Sequence, residues 1–410
     1  MPDPTSSTVF LARQPIFDAD ARVVAYELLF RAGNVDYAQV GNADEATAQV
    51  MVNSFLEIGL DLLVGEQPAF INVTRGFLLG EHLRALPPER VVLEILEDVQ
   101  VDPALIRAVE ELAAAGYRVA LDDFVFQESL RPLVELAEFI KLDVRAQDRD
   151  SIARQVELLR HYPARLLAEK VETQEEFAHF RGLGFDYFQG YFLSRPTLFQ
   201  ATTIPQNRLA VVQLMAKVQD PGLTATDLEQ VIARDLGLSY KLLRYINSAF
   251  FALPRKVDSI HHALIYLGHK AIQRWAMLLA LSNLDDKPRA LLHNSLFRAH
   301  MCEQLAEGLG FTEPTAGFTV GLFSNLDALM DRPMAELLEQ LPLSEAVTHA
   351  LLRREGVLGR ALACTEAYER GTWDQLHCTE LAIPFLRRAY LESLAWADRA
   401  AAAIPAAAPR

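Results

Sequence analysis

Cysteine is scarce in this 410-residue chain: it has three, Cys302, Cys364 and Cys378, and no two of them form a CxxC. They read as small buried hydrophobes in a reducing compartment, which argues against a disulfide or a zinc set. Long apolar runs are lacking too. No uninterrupted apolar stretch reaches the roughly 18 residues needed to span a bilayer. The opening Met1-Pro-Asp-Pro-Thr-Ser-Ser7 has neither the basic cluster nor the apolar run of a signal peptide. A cytoplasmic protein without membrane contact is expected. Positive charge is the third shortage. Lys and Arg number 39 against 54 Asp and Glu, a formal net charge of −15. A surface of that sign repels phosphodiester backbones at long range, so nucleic acid is not an expected partner.

What is present is an ordinary globular composition, 51% hydrophobic and 23% charged. The chain is long enough for two or three domains with substantial cores. Val119-Ala-Leu-Asp-Asp-Phe124 stands at its centre, an apolar run that ends in two adjacent carboxylates. The design recurs on both sides. Val91-Val-Leu-Glu-Ile-Leu96 carries Glu94, and Phe139-Ile-Lys-Leu-Asp-Val144 carries Lys141. Arg165-Leu-Leu-Ala-Glu169 ends in Glu169, and Phe185-Asp-Tyr-Phe-Gln-Gly190 carries Gln189. Short apolar runs mark strands buried on both faces. Helix-like stretches lie between them, and that alternation implies a parallel sheet. If the sheet closes into a barrel, strand-end residues converge at its C-terminal face.

Along the chain, residues 1–8 are polar and expected to be disordered. Two apolar runs flank Asp18-Ala-Asp-Ala-Arg22, which predicts an antiparallel hairpin, an unusual start for a parallel barrel. Apolar spacing predicts a helix over 44–64, and Ala69-Phe-Ile-Asn-Val73 is a strand with Asn72 near its end. Further helices are predicted from Asp102-Pro103 to Ala115, over 150–161, and over 173–183 with Gly184 closing the last. The fold class is therefore an α/β TIM-like barrel over 9–199. Residues 197–207 show no clear period and form the expected linker. From 208 to 398 only helical spacing is found, as in Leu228, Ile232 and Leu236, so the second domain is all-α. The Ala/Pro run of 399–410 is a low-complexity tail expected to fray.

Collected by strand order, the first domain offers Glu27, Asn72, Glu94, Asp122, Asp123, Lys141, Glu169, Glu172 and Gln189. Its carboxylates, crowded at one barrel mouth, would repel each other and force some to hold protons. Divalent cations remove that penalty, and hard oxygen donors suit Mg²⁺ or Mn²⁺. Two such ions about 3.5–4 Å apart suit in-line attack of water on a phosphodiester. Lys141 would orient the water or polarise a phosphate oxygen, and Arg31 would pair with a non-bridging oxygen. Glu169 or Glu172 would act as ligand or general base.

A set of motifs runs in order through Tyr26-Glu-Leu-Leu-Phe-Arg31, Phe70-Ile-Asn-Val73, Leu93-Glu-Ile-Leu-Glu97 and Leu121-Asp-Asp-Phe124. It continues with Ile140-Lys-Leu-Asp143, Ala168-Glu-Lys-Val-Glu-Thr173 and Phe188-Gln-Gly-Tyr191. In this order they resemble the EAL domain, the cyclic-di-GMP phosphodiesterase domain of bacteria, over residues 8–199. The resemblance implies that Glu27, Asn72, Glu94 and Asp122 ligate metal, with Asp123 shared between two Mg²⁺ or Mn²⁺ ions. It also implies that Lys141, Glu169, Glu172 and Gln189 complete the catalytic shell, that Arg31 and Gln189 contact substrate, and that Glu97 supports the loop. A homodimer is expected.

Three departures from the family pattern stand out. Active members follow Asp-Asp-Phe with Gly-x-Gly, whereas Val125-Phe-Gln-Glu-Ser129 here has no glycine. A β-branched Val disfavours the positive φ that Gly allows, so the loop must take another path. Lys170 replaces the glycine between the two late glutamates, and Leu28 replaces the alanine of Glu-Ala-Leu. The expectation is retained binding of cyclic-di-GMP and metal with impaired or conditional hydrolysis. A fully active phosphodiesterase giving the linear dinucleotide is the alternative, and a ligand-free scaffold the third reading.

Asp235-Leu-Gly-Leu-Ser-Tyr-Lys-Leu-Leu-Arg-Tyr-Ile-Asn-Ser-Ala-Phe250, Leu253-Pro-Arg-Lys-Val-Asp-Ser-Ile260 and Ala263-Leu-Ile-Tyr-Leu-Gly268 resemble the HDOD domain, a helical relative of the HD phosphohydrolases. No His-Asp dipeptide occurs anywhere in the chain, and Ser324 and Asn325 stand where that pair would fall. His261 and His262 read as solvated or capping residues, and His293 and His300 lie seven apart with no evident acid partner. The aromatics of Ala249–Pro254 read as core. The helical half is expected to be a non-catalytic module that engages a signalling protein.

Overall fold

The structure, a computed structural model, describes residues 9–32, 59–80, 83 and 86–192, parts of 212–281, and then 287–376 and 378–404. The segment 1–8, most of the helix expected over 44–64 and the linker at 197–207 lie outside the described residues. Two compact units result. The first runs to Leu193 and takes in Ala367–Leu376 and Ala382–Leu391; the second comprises Ser194–Glu366, His377–Leu381 and Glu392–Arg410.

The first unit is built on a closed eight-stranded barrel with strands in sequence order. β1 (Val9–Asp18) and β2 (Val23–Ala32) form the expected hairpin. After α1 (Leu60–Val64) come β3 (Ala69–Val73), α2 (Arg75–Leu79), β4 (Val91–Ile95), α3 (Pro103–Ala114) and β5 (Arg118–Leu121). α4 (Arg131–Leu136), β6 (Phe139–Asp143), α5 (Arg149–Leu159), β7 (Arg165–Glu169), α6 (Gln174–Leu183) and β8 (Tyr187–Gln189) complete it. β2 to β8 are parallel neighbours, and β1 closes the ring antiparallel to both β2 and β8. Local signals set the helix ends. The Asp102 side chain accepts from the Ala104 and Leu105 amides at the start of α3, with Pro103 at its first position. Thr173 caps α6, which Gly184 ends in the left-handed region.

One buried cluster joins Ile16, Ala25, Phe70, Val92, Ala120, Phe139 and Leu167, with Tyr187 packed against it. These are one residue from each of the eight strands, which only the barrel interior brings together. Side chains on a strand alternate between faces, so the residue two further on points inward again, one layer nearer the C-terminal mouth. On β2 to β8 those positions are Glu27, Asn72, Glu94, Asp122, Lys141, Glu169 and Gln189. The apolar plug thus dictates the polar layer above it.

The second unit is helical wherever it is described. It contains α7 (Ala225–Ala233), α8 (Ile260–Leu267), α9 (His269–Leu281), α10 (Arg289–Gly308), α11 (Pro314–Phe323), α12 (Leu326–Met330), α13 (Met334–Leu338) and α14 (Glu345–Arg353). The last two helices, α15 (Gly356–Arg370) and α16 (Ile383–Ala403), divide their residues between the two units. Phe251 packs edge-on against Tyr245 and Trp275 and is partly buried, while Phe250 lies outside the described residues. Two expectations are corrected. Cys364 and Cys378 form a disulfide, and Cys302 alone stays a thiol. The turn between α15 and α16 brings the two sulfurs together, a juxtaposition that a spacing of 14 residues does not announce. The alanine run does not fray from its start: α16 continues to Ala403, with Ala400 and Ile404 buried.

Candidate active site at the barrel mouth

Lys141 is completely buried at the centre of the polar layer. Its Nζ lies 2.6 Å from Glu94 Oε1, 2.8 Å from Glu169 Oε1, 2.9 Å from Asp122 Oδ1 and 3.4 Å from Glu27 Oε2. Glu27 is held further by Gln189, whose Nε2 donates to Oε2 at 2.6 Å, and by Asn72, whose Nδ2 donates to Oε1 at 3.4 Å. Gly190 lets β8 deliver Gln189. A Cβ at Gly190 would lie 2.1 Å from the Val171 carbonyl oxygen, and the Val171 amide donates to the Gln189 carbonyl at 3.0 Å.

Four carboxylates face one ammonium, which leaves a deficit of positive charge in a water-poor site. Burial pushes Glu94 well above the usual carboxylate range, with Glu27 and Asp122 adding to the push and Lys141 opposing it. Burial likewise raises Glu169 to about 8, with Lys141 opposing and Asp122 and Glu27 adding. Burial works against the Lys141 charge, but the surrounding carboxylates outweigh it and its pKa rises.

The remaining carboxylates go to other cations. Lys170 Nζ hydrogen-bonds Asp143 Oδ2 and lies 3.6 Å from Asp123 Oδ1. Arg145 pairs with Glu172, so Glu172 is not brought into the Lys141 cluster. Asp123 and Lys170 are both non-glycine residues in the left-handed region, at φ 41° and 59°. Two strained loop residues, one after β5 and one after β7, therefore meet through their side chains. After Asp123 no residue to Ser129 has a positive φ. The Phe124 amide donates to the Lys141 carbonyl, Phe126 packs on Phe124 and Tyr162, and a single turn covers Glu128–Leu130. Glu97 is exposed beyond β4 and its charge adds to the rise in Asp123 that burial begins. Arg31 lies on β2 opposite Phe10, but its side chain is outside the described residues.

The donor set suits a hard cation. Buried oxygens of Asn72 (Oδ1), Glu94 (Oε2), Asp123 (Oδ1) and Gln189 (Oε1) have no hydrogen-bond partner. Among the described residues no three acidic, His or Cys side chains are set to hold one ion as they stand. The Lys141 ammonium fills their midst. One member of the layer escaped the sequence reading. β1 runs opposite to the other strands, so its inward residue nearer the mouth is two before Ile16: Gln14, register partner of Glu27.

In the helical unit Ser324 and Asn325 meet a buried guanidinium. Arg298 is buried, and its Nη1 lies 3.1 Å from Asn325 Oδ1, 3.3 Å from Ser324 Oγ and 3.5 Å from Glu366 Oε1. His261 faces Glu229, and the His262 amide donates to the Ser259 cap. His293 has an acid partner after all, Asp398, at 2.6 Å. That aspartate is 105 residues away in sequence, out of reach of any local pattern. His300 contacts Ser393 and Gln304.

Comparison with known proteins decides the family. The EAL domain matches residues 66–196 and the HDOD domain residues 204–341. The cyclic di-GMP phosphodiesterase CdgJ of Vibrio cholerae is 35% identical over 403 residues, 96% of this chain and 93% of that protein. The chain belongs to the EAL–HDOD family. A second relative, the uncharacterized protein YuxH of Bacillus subtilis, is 33% identical over 404 residues, 95% of this chain and 98% of that protein. Among solved structures, a calcium and cyclic di-GMP complex of Klebsiella pneumoniae BlrP1 aligns at 24% identity and a TM-score of 0.40. It covers 48% of this chain and 58% of that one. The EAL match begins after β2, so Glu27 joins the site through barrel geometry. No described helix of this EAL–HDOD protein is long and apolar enough to cross a membrane.

Proposed function

We propose that this EAL–HDOD protein binds cyclic-di-GMP with a divalent cation, Mg²⁺ or Mn²⁺, at the barrel mouth, and that hydrolysis there is conditional. The observation that carries the reading is the charge deficit around Lys141, where the buried Glu27, Glu94 and Glu169 and the partly buried Asp122 share one ammonium. A bound divalent cation supplies the missing charge, polarises the phosphate and activates water. Glu27, Asn72, Glu94, Asp122 and Asp123 would hold it. Lys141 orients a phosphate oxygen or the attacking water. Glu169, beside Lys141, would take the proton from that water. Glu172 joins only if Arg145 releases it.

The condition lies in Lys170, whose ammonium competes for Asp123. The similarity to CdgJ, a cyclic di-GMP phosphodiesterase, favours a second reading, unconditional hydrolysis. In either case the helical unit would act as a protein-interaction output in a cytoplasmic, homodimeric signalling protein, a reading supported by the lack of a His-Asp dipeptide and by the Arg298 guanidinium beside Ser324 and Asn325. Calorimetric titration of cyclic-di-GMP with Mg²⁺, Mn²⁺ or Ca²⁺, followed by assay for linear pGpG, tests the proposal. Binding with slow or metal-selective turnover that vanishes in Asp122→Ala is expected. Rapid turnover in every activating metal would establish the second reading, and no binding under any metal would sink both.

A further inference from the structure

β8 is short and pairs with Ile16–Asp18 of β1. Among the described residues no strand borders Leu11–Pro15 on that side, a bare edge of the kind that proteins cover. Here residues far along the chain cover it. The Arg13 amide donates to the Tyr390 hydroxyl at 2.9 Å, and the Leu11 amide faces the Tyr368 hydroxyl. Leu11 and Arg13 are two apart, so both amides point to the same edge. Tyr368 and Tyr390 are buried and their rings meet at 4.7 Å. Gly371 makes the close approach possible. Its φ is +67°, and a Cβ there would lie 2.7 Å from Leu29 Cδ1. The Arg370 guanidinium lies over the Tyr191 ring, just past β8.

The same segment reaches the polar layer. Gln14 Nε2 donates to the Arg370 carbonyl at 3.1 Å, and Gln14 Oε1 accepts from Gln189 Nε2 at 3.0 Å. That nitrogen is the one that donates to Glu27 Oε2 at 2.6 Å. An unbroken line of hydrogen bonds thus runs from the main chain at residue 370 to a carboxylate of the barrel mouth.

We propose that Gln14 is a positioning residue that ties the late stretches of the first unit, Ala367–Leu376 and Ala382–Leu391, to Glu27, so that their seating sets how tightly the mouth holds a divalent cation. The proposal rests on the metal-binding reading given above. Gln14 itself touches no reacting atom. It fixes the Gln189 amide, and Gln189 fixes the Glu27 oxygen; partners of this outer kind tune affinity without ligating.

The test uses the full-length, nucleotide-free protein and Mn²⁺ alone, titrated calorimetrically. Gln14→Ala is expected to weaken Mn²⁺ binding roughly tenfold, with thermal unfolding near that of the wild type. Tyr390→Phe, which removes the acceptor of the Arg13 amide far from the mouth, is expected to weaken it in the same direction. The double variant should lose no more than Gln14→Ala alone, because both act through one line of contacts. Unchanged Mn²⁺ affinity in Gln14→Ala overturns the proposal, as do strictly additive losses in the pair. Should Gln14→Ala not fold, Gln14→Met keeps the length of the side chain, removes both hydrogen bonds without adding charge, and carries the same expectation. Glu27→Ala separates the two levels. Loss of binding in Glu27→Ala with none in Gln14→Ala leaves the metal reading standing without the tie. A wild type that takes up no Mn²⁺ overturns both.

Discussion

Lys141 Nζ lies 2.6 Å from Glu94 Oε1, and neither side chain has any exposure to solvent. An ion pair this deep costs desolvation on both sides and is retained where geometry or chemistry requires it. Replacing the lysine leaves its carboxylates without their shared cation. Lys141→Met is therefore expected to abolish turnover and to destabilise the metal-free protein by about 3–5 kcal/mol. Saturating Mn²⁺ should restore more stability to the variant than it adds to the wild type, since it binds the folded state alone. Urea denaturation with and without Mn²⁺ reads both effects, and a metal-free stability equal to the wild type would refute the buried-charge account.

Lys170 stands at φ +59° with its ammonium between Asp143 and Asp123. Lys170→Gly removes a competing cation and relieves a left-handed non-glycine residue in one step. Tighter Mn²⁺ binding and faster hydrolysis are expected, each by roughly three- to tenfold if the lysine charge acts through about 1 kcal/mol in a half-exposed setting. Calorimetry and a pGpG assay measure the two separately. A variant no better than the wild type in either would show that Lys170 is not the condition on activity.

The barrel was legible from the sequence because its apolar plug and polar layer obey one rule of alternation. Val92 and Glu94, Ala120 and Asp122, and Phe139 and Lys141 are each two apart on neighbouring strands, and the motifs follow. Gln14 was hidden by the reversed direction of β1, which puts the mouth before its plug residue instead of after it. The allotment of carboxylates among Lys141, Lys170 and Arg145 was equally hidden, since it depends on which loops meet above the strands. The Cys364–Cys378 bond and the His293–Asp398 pair join residues that no periodicity links. Distance in sequence, with no pattern between, is what concealed them.

His300 provides a pH handle on the helical unit. Burial, with Arg399 and Arg274 adding, lowers its imidazole to about 4 from an ordinary 6.5. Between these values the unfolded chain binds one proton more than the native protein, so stability falls as pH drops through that window. The loss from this residue is about 3 kcal/mol at the lower edge. His300→Gln is expected to flatten the pH dependence between pH 6.5 and 4 by that amount. Parallel urea titrations of wild type and variant at the two pH values check it, and curves of identical slope would remove His300 as the cause.

Under the proposed function, Arg298 keeps metal out of the helical unit. Its guanidinium stays charged at any accessible pH and lies within 3.5 Å of Ser324, Asn325 and Glu366. A divalent cation brought to the same point would meet a fixed positive charge. Ser324→His with Asn325→Asp, which writes the missing His-Asp pair into the chain, should therefore gain no Mn²⁺ affinity while Arg298 is present. Arg298→Leu alone should cost about 2–3 kcal/mol of stability, because Asn325 loses a buried charged donor. The cost is limited because Glu366 keeps Arg354, whose Nη2 lies 2.9 Å from its Oε1. Calorimetry on the double variant and denaturation of Arg298→Leu decide the matter. Metal uptake by the double variant would overturn the role given to Arg298.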